Sequence, residues 1–195
     1  YVYDANNLSA QPTKLTAFDG AEGDYFGVSV SATNDKIIVG ANADGDKGAY
    51  SGSVYVYDAN DLSAQPTKLT AFDGAEFDQF GRTVAANADK IIVAVEYDDD
   101  NGISSGSVYV YDANDLSAQP TKLTAFDAAA DDAFGSSVAA TDDKIVVGAR
   151  NNDDKGRDSG SVYVYDANDL SATPTKLTAF DGDVTDYFGY SVAVG

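Results

Sequence analysis

A period of 54 residues runs through the whole chain and constrains its fold more than any other feature. The segment Tyr1-Val2-Tyr3-Asp4 returns in register, at Tyr55, Tyr109 and Tyr163. Residues 55–73 and 109–127 are identical to each other. A Phe-Gly pair also recurs in register, at Phe26, Phe80, Phe134 and Phe188. A fixed period in this range is typical of a solenoid, a propeller or another repeat array.

Each period contains four short stretches with β-strand character. In the first period they are residues 26–31, 36–41, 53–57 and 68–72. The third stretch alternates Val and Tyr, which favour strands, and clusters of Asn, Asp, Gly and Ser separate the stretches as turns require. Four strands in about fifty residues is the size of one propeller blade. We therefore predict an all-β fold, a β-propeller built from 54-residue four-stranded blades.

The same period predicts how the chain is divided. We expect one domain over residues 1–195, a propeller or a portion of one, with three complete blades near 26–72, 80–126 and 134–180. Residues 1–18 carry only a third and a fourth strand, and residues 188–195 carry only a first strand. We expect these two segments to share a split blade that lacks its second strand. Either the chain is part of a larger ring, or another chain completes that blade by adding a strand to its open edge.

Several short motifs link the repeat to a known family. They are the Phe-Gly pair followed by Ser-Val, the run Val39-Gly40-Ala41, and the run from Gly52 to Tyr57. Together they resemble the FG-GAP repeat of integrin α-subunit propellers, in its bacterial and archaeal branch, across the whole chain. The resemblance implies an extracellular adhesion or recognition module.

The chain departs from that family at two points. Asn42, Glu96 and Arg150 stand where the family has Pro, and Val93-Ala94-Val95 replaces Val-Gly-Ala in the second copy. The family's calcium loop between the first and second strands is absent, and residues 32–35 form a short Ala-Thr-Asn-Asp connection instead. The family's calcium sites therefore cannot be transferred to this chain.

Composition excludes several kinds of function. A net charge of −20 would repel nucleic acid phosphates. The chain has no Cys and no His, so thiolate chemistry, imidazole catalysis and ordinary zinc or copper sites are not expected. Carboxylate pairs that recur in every copy are typical of a scaffold rather than one active site, and we do not expect an enzyme. No apolar run is long enough to span a bilayer.

The acidic residues are concentrated in two kinds of loop. Antiparallel order within a blade places the strand 4-to-1 and 2-to-3 connections on one face of the propeller. On this assignment that face has 21 acidic and five basic residues, a net charge of −16, and the other face has a net charge of −4. The 4-to-1 loops repeat a pair of aspartates five residues apart: Asp19/Asp24, Asp73/Asp78, Asp127/Asp132 and Asp181/Asp186.

The 2-to-3 loops place side-chain oxygens at alternate positions before a glycine. The candidate calcium ligands there are Asn42, Asp44 and Asp46, then Glu96, Asp98 and Asp100, and then Asn152 and Asp154. Alternating oxygen ligands in a tight turn suit the flexible shell of calcium, and we predict calcium sites at these residues and at the 4-to-1 pairs. The alternative is that Asp, Asn and Gly only form turns there. The 4-to-1 pairs slightly favour that alternative, through hydrogen bonds that hold the chain before Phe-Gly.

Two functions are compatible with these features. The first is a secreted or cell-surface recognition module, stabilised by calcium, whose ligand is an unidentified protein or glycan. The second is a structural subunit of a filament, sheath or surface array that self-associates by strand addition, because near-identical copies suit self-assembly. Only Tyr25, Tyr50 and Tyr187 are candidates for ligand contact among the aromatic residues, since the others alternate within strands at core positions.

Overall fold

Three four-stranded antiparallel sheets follow one another along the chain in the computed structural model, which describes residues 1–195. In each sheet the strand order in space is the order in sequence. The strands are β1 Val30–Ala32, β2 Lys36–Ala41, β3 Ser53–Asp58 and β4 Thr67–Leu69 in blade 1; β5 Thr83–Ala86, β6 Lys90–Val95, β7 Ser107–Asp112 and β8 Thr121–Leu123 in blade 2; and β9 Phe134–Ala140, β10 Lys144–Ala149, β11 Ser161–Asp166 and β12 Thr175–Leu177 in blade 3. The all-β propeller architecture and its four-stranded blades are confirmed.

The third strand of each blade shows why the blades must stand side by side. In β3, Val54 and Val56 enter one apolar cluster while Tyr55 and Tyr57 enter another. Val54 and Val56 pack with Phe80 and other residues of blade 2, whereas the two tyrosines lie against Phe26 and the preceding segment. Because neighbouring side chains of a strand point to opposite faces, each blade presents two apolar faces. Consecutive blades bury these faces against each other, and we call the boundary between two blades a seam.

Backbone hydrogen bonds join the blades across each seam. At the first seam, the backbone N–H groups of Phe77, Gln79 and Phe80 donate to the carbonyl oxygens of Ala49, Tyr50 and Ser51, at 2.8–3.0 Å. The same three bonds recur at the second and third seams, from residues 131, 133 and 134 and from residues 185, 187 and 188. The 2-to-3 loop of one blade is thus fixed to the 4-to-1 loop that leads into the next blade.

The first strand is shorter than predicted in blades 1 and 2, where it starts at Val30 and Thr83 rather than at Phe-Gly. The residue before Phe and the Gly after it both have positive φ, as at Tyr25 (56°) and Gly27 (94°). This backbone turns rather than extends, although Gly27 N–H still reaches the carbonyl of Gly40 at 2.8 Å. In blade 3 the strand spans the whole stretch although Ala133 and Gly135 have the same positive φ, and its pairing shifts register beside Gly148. The fourth strand spans Thr67–Leu69 rather than residues 68–72, and its pairing with the third strand ends at Val54 and Leu69.

The two end segments are held by their nearest blades. In the N-terminal segment, residues 1–18, Val2 pairs with Thr13, and Leu15 and Ala17 pack against blade 1. In the C-terminal segment, residues 188–195, Phe188 forms a parallel bridge with Gly160 of blade 3. No bridge joins these two segments to each other, so the sheets form an open array rather than a closed ring.

Candidate functional site

The 4-to-1 and 2-to-3 loops meet on one face, which we call the acidic face. Asp19 from the first kind of loop and Asp44 and Asp46 from the second all contact the Lys68 ammonium. The net charge of −4 on the opposite face included Lys68, Lys122 and Lys176 of the fourth strands, which is wrong for their ammonium groups, because these contact aspartates of the acidic face. With these three lysines counted on it, the acidic face has a net charge of −13 rather than −16.

Each of these lysines is the centre of one cluster per blade, which we call a lysine cluster. Lys68 Nζ lies 2.8 Å from Asp19, 2.9 Å from Asp44 and 2.7 Å from Asp46. Lys122 Nζ lies 2.9 Å from Asp73, 2.7 Å from Asp98 and 2.6 Å from Asp100. Lys176 Nζ lies 2.6 Å from Asp127, 2.5 Å from Asp154 and 3.2 Å from the Asn152 amide oxygen. The clusters therefore join the two acidic loops through a cation of the protein itself.

A tyrosine of the third strand completes each cluster. The hydroxyl groups of Tyr55 and Tyr163 donate to Asp19 and Asp127 at 2.7 Å, and Tyr109 donates to Asp73. Each lysine ammonium also lies over the ring of that tyrosine, 5.2–5.3 Å from its centroid, at a distance typical of cation–π contacts. The tyrosine side chains are wholly buried, so they anchor the cluster to the blade core.

The protonation equilibria reflect this arrangement. Burial would raise the pKa of Asp19, but hydrogen bonds from Lys68 and Tyr55 lower it below its ordinary value, and the same holds for Asp73 and Asp127 with their partners. Burial would lower the pKa of Lys68, but its three aspartate partners raise it well above the ordinary value. Burial and the Asp19 hydrogen bond raise the pKa of Tyr55. Asp19, Asp73 and Asp127 and the lysines that they contact are thus held in the charged state at neutral pH.

The second aspartate of each 4-to-1 pair has a different role. Asp24 and Asp78 accept hydrogen bonds from the backbone N–H groups three residues earlier, at 2.6 and 2.7 Å. Asp132 and Asp186 do the same at 2.9 and 2.8 Å. These bonds close the turn that leads into Phe-Gly. Burial raises the pKa of Asp78 to about 6 and also raises that of Asp132.

Two of the predicted ligands lie on a seam outside the lysine clusters. Glu96 is only 1% exposed, and its carboxylate contacts Arg82 Nε at 2.7 Å and the guanidinium of Arg150 from the next blade. Asn42 Nδ2 donates to Gln79 Oε1 of the next blade at 2.8 Å. Both residues therefore link consecutive blades.

Aromatic side chains are exposed beside this network. Tyr50 and Phe77 lie on opposite sides of the first seam, and their rings stack with centroids 5.8 Å apart and planes 16° apart. The two residues are 46% and 57% exposed. Both have positive φ, at 57° and 71°. At the second and third seams the same positions hold Ser104 and Asp131, and Asp158 and Thr185, so this aromatic pair is unique to the first seam.

The arrangement of the predicted calcium ligands can be compared with what calcium requires. A calcium ion takes six to eight oxygen ligands around a common point. In the lysine clusters the point on which the aspartate oxygens converge is already filled by an ammonium nitrogen. No group of three or more acidic side chains forms a separate arrangement for a metal ion. As arranged, these residues do not fit calcium, and calcium binding stays a prediction.

The lysines and tyrosines of these clusters were not among the predicted site residues. A signal was nevertheless present, because Lys14, Lys68, Lys122 and Lys176 recur in register as faithfully as the aspartate pairs. Phe77 was also missed, because Gly23 holds the corresponding position in the first copy.

Comparison with known families agrees with this repeat architecture. The family described as FG-GAP repeat matches three times, over residues 10–57, 64–111 and 118–165. These stretches cover most of the chain and follow its 54-residue period. The chain belongs to the FG-GAP repeat family. The expected family membership is therefore confirmed.

The matched stretches place the FG-GAP repeat in the structure. Each stretch starts before the fourth strand of one blade or end segment and ends on the third strand of the next blade, at Tyr57, Tyr111 or Tyr165. One FG-GAP repeat of this chain therefore contains a whole 4-to-1 connection and the 2-to-3 loop that follows it. The acidic face is formed by the interior of the repeats rather than by the connections between them.

Solved structures also resemble the chain. One is the crystal structure of the computationally designed Ika4 protein, with 17% sequence identity, a TM-score of 0.50, and coverage of 88% of this chain and 81% of that chain. At this identity the likeness concerns the fold alone. No curated protein gives a significant match. The structure contains no helix of the length and apolarity that crossing a bilayer would need.

Proposed function

We propose that this FG-GAP repeat array is a secreted or cell-surface recognition module that binds a protein partner through its acidic face. Membership of the FG-GAP repeat family supports the extracellular setting. The net charge of −13 on this face favours a partner with a cationic surface, since complementary charge accelerates encounter and selects the partner.

The observation that carries the proposal is the exposed aromatic pair at the first seam. Tyr50 and Phe77 are stacked and solvent-accessible, and the backbone bonds of the seam hold them in a left-handed conformation. The other seams use small or charged residues here, so the pair is not needed for the fold. Ring faces in acidic surroundings attract Lys and Arg side chains. We infer that this pair contacts a cationic segment of the partner.

A labelled lysine hexapeptide tests this proposal by fluorescence anisotropy. We expect binding at low salt that disappears near 0.5 M salt, because surface electrostatics are screened there. The double variant Tyr50→Ser/Phe77→Thr introduces residues that Ser104 and Thr185 already show to be compatible with these positions. Loss of the cation–π contacts should weaken binding by about threefold.

The variant Leu8→Ser is the matched control, because Leu8 is 71% exposed and lies in a strand 3-to-4 connection on the opposite face. It should bind the peptide as the unaltered chain does. Equal affinities for the double variant and the unaltered chain, or equal binding of a glutamate hexapeptide, would contradict the proposal.

A second candidate function is a self-assembling structural subunit, and an open apolar groove beside blade 1 supports it. Between the N-terminal segment and blade 1 lies an open apolar groove of about 590 Å³, lined by residues such as Val2, Leu15, Phe26 and Val30. At the first seam the corresponding space is filled by Ile38 and Val54 of the preceding blade.

The charged residues at the ends are also complementary. Tyr1 and Lys14 correspond in register to Tyr55 and Lys68, and Asp181 corresponds to Asp19. Lys14 and Asp181 thus correspond to two members of a lysine cluster, and neither has an ion pair in the structure. We propose that Lys14 and Asp181 pair between chains in an assembly, as the equivalent residues do within the chain.

A further inference from the structure

We infer that Lys68, Lys122 and Lys176 take the place of a metal ion, so that the acidic loops of this chain are joined by built-in cations and need no calcium. The inference starts from the mismatch between the predicted calcium ligands and their actual contacts. Asp44 and Asp46 of one loop and Asp19 of the other approach a single nitrogen within 2.9 Å. An ammonium group at that point does what a bound cation would do, because it neutralises and joins carboxylates from two loops.

The shielding of the ammonium groups supports a structural role. The lysine side chains are only 11–13% exposed, and Asp44 and Asp98 are 5% exposed. Ion pairs this far from solvent are screened little by salt, and breaking one by removing a partner leaves an uncompensated buried charge. A surface pair between long flexible side chains would contribute far less. The ammonium groups, Asp44 and Asp98 are therefore internal parts of the fold, whereas the other carboxylates of the clusters are 32–57% exposed.

The clusters differ in one respect that makes the inference testable. The Lys122 cluster has three carboxylates, from Asp73, Asp98 and Asp100. The Lys176 cluster has only Asp127 and Asp154, with the neutral Asn152 amide at the third position. If lysine stands in for a metal ion, its removal should uncover a calcium site at the Lys122 cluster and a weaker calcium site at the Lys176 cluster. The reason is that calcium affinity rises with the number of charged ligands.

Thermal unfolding of Lys122→Ala in chelator and in calcium is the experiment. The unaltered chain should melt at the same temperature in both conditions. In chelator, Lys122→Ala should melt on the order of 10 °C lower, because three carboxylates lose their counterion. About 5 mM calcium should restore at least half of that loss, since a ligand that binds only the folded state stabilises it.

Two variants serve as controls. In chelator, the melting temperature of Lys176→Ala should fall by a similar amount, but calcium should restore less of it. Lys155 is an exposed lysine outside the clusters, and Lys155→Ala should melt like the unaltered chain in both conditions. Magnesium should restore Lys122→Ala less well than calcium, because it requires a tighter octahedral shell.

The unaltered chain decides the question if Lys122→Ala does not fold. If calcium raises the melting temperature of the unaltered chain, or if calorimetry shows that the unaltered chain binds calcium, the inference is overturned. A folded Lys122→Ala that melts like the unaltered chain in chelator, or that gains nothing from calcium, would overturn it as well.

Discussion

Aspartates at the residue scale fall into two groups on the acidic face, which differ in the partners that their carboxylates meet. Asp19, Asp73 and Asp127 face an ammonium and a tyrosine hydroxyl, which lower their pKa against the effect of burial. Asp78 is buried with only a backbone N–H as its hydrogen-bond donor, and burial raises its pKa to about 6. The spacing of five residues was visible in the sequence, but the division of roles was not, because it depends on which loop lies opposite each carboxylate.

This division predicts how stability depends on pH. Between about pH 4 and 6, folded Asp78 binds a proton that the unfolded chain releases, so stability should fall as the pH rises through this window. Asp19, Asp73 and Asp127 change the stability in the opposite direction. Their stabilising contribution is present above the ordinary pKa near 3.8 and is lost as the pH falls through their lowered pKa values. We expect the melting temperature to be highest in mildly acidic buffer.

The variant Asp78→Asn isolates the first part of this pH dependence. Its amide oxygen can still accept the Ala75 N–H, but it has no proton to release. The decrease in melting temperature between pH 5 and 7 should therefore become smaller than in the unaltered chain, and the acid limb below pH 4 should be unchanged. Identical slopes for both proteins above pH 5 would show that Asp78 does not titrate in this range.

At the element scale, the sequence predicted the second and third strands well and the first and fourth strands poorly. The second and third strands, as in Lys36–Ala41 and Ser53–Asp58, are buried on both faces, so their apolar composition reports their structure directly. The first strand depends on the backbone around Phe-Gly, where Gly27 and Tyr25 have positive φ. Composition does not reveal that Tyr25 adopts such a conformation, because positive φ is uncommon for any residue other than glycine.

A substitution at a seam glycine tests the importance of the inter-blade ladder. Gly106 has a φ of +83°, and a Cβ atom there would lie 2.0 Å from the carbonyl oxygen of Phe134 in the next blade. Gly106→Ala should therefore push the two chain segments apart at this seam. We expect a loss of about 3 kcal/mol in the free energy of unfolding. Urea unfolding followed by circular dichroism measures this loss.

Gly23→Asp is the matched control for the left-handed backbone. Gly23 has a φ of +97° with no atom near its Cβ position, and Asp131 occupies the corresponding position in the third copy with a φ of 68°. Its cost should stay near 1 kcal/mol, the strain of the backbone alone. If both variants lost the same free energy, the close contact with Phe134 would not be what requires glycine.

At the scale of the whole molecule, the period predicted the number of complete blades and their order, and the structure confirms both. The ion pairs were not predictable in the same way, since Lys68 and Asp19 are 49 residues apart and meet only when the blade is formed. Once one cluster is known, however, the 54-residue period identifies the corresponding residues elsewhere in the chain. Lys14 and Asp181 occupy the same positions as Lys68 and Asp19, and each lacks the partner that its counterpart has.

Reversing these two charges tests whether the ends associate. Sedimentation velocity over micromolar concentrations should show assemblies of the unaltered chain, because the apolar groove beside Val2 and the Asp181 end are complementary. Lys14→Glu should shift the distribution towards the monomer, since it places two acidic groups together, and the double variant Lys14→Glu/Asp181→Lys should restore association by reversing the pair. The change Lys144→Glu, on a residue outside the ends, is the control for net charge. A chain that remains monomeric at all concentrations would exclude self-assembly, whereas assembly that is insensitive to both reversals would show that another surface joins the chains.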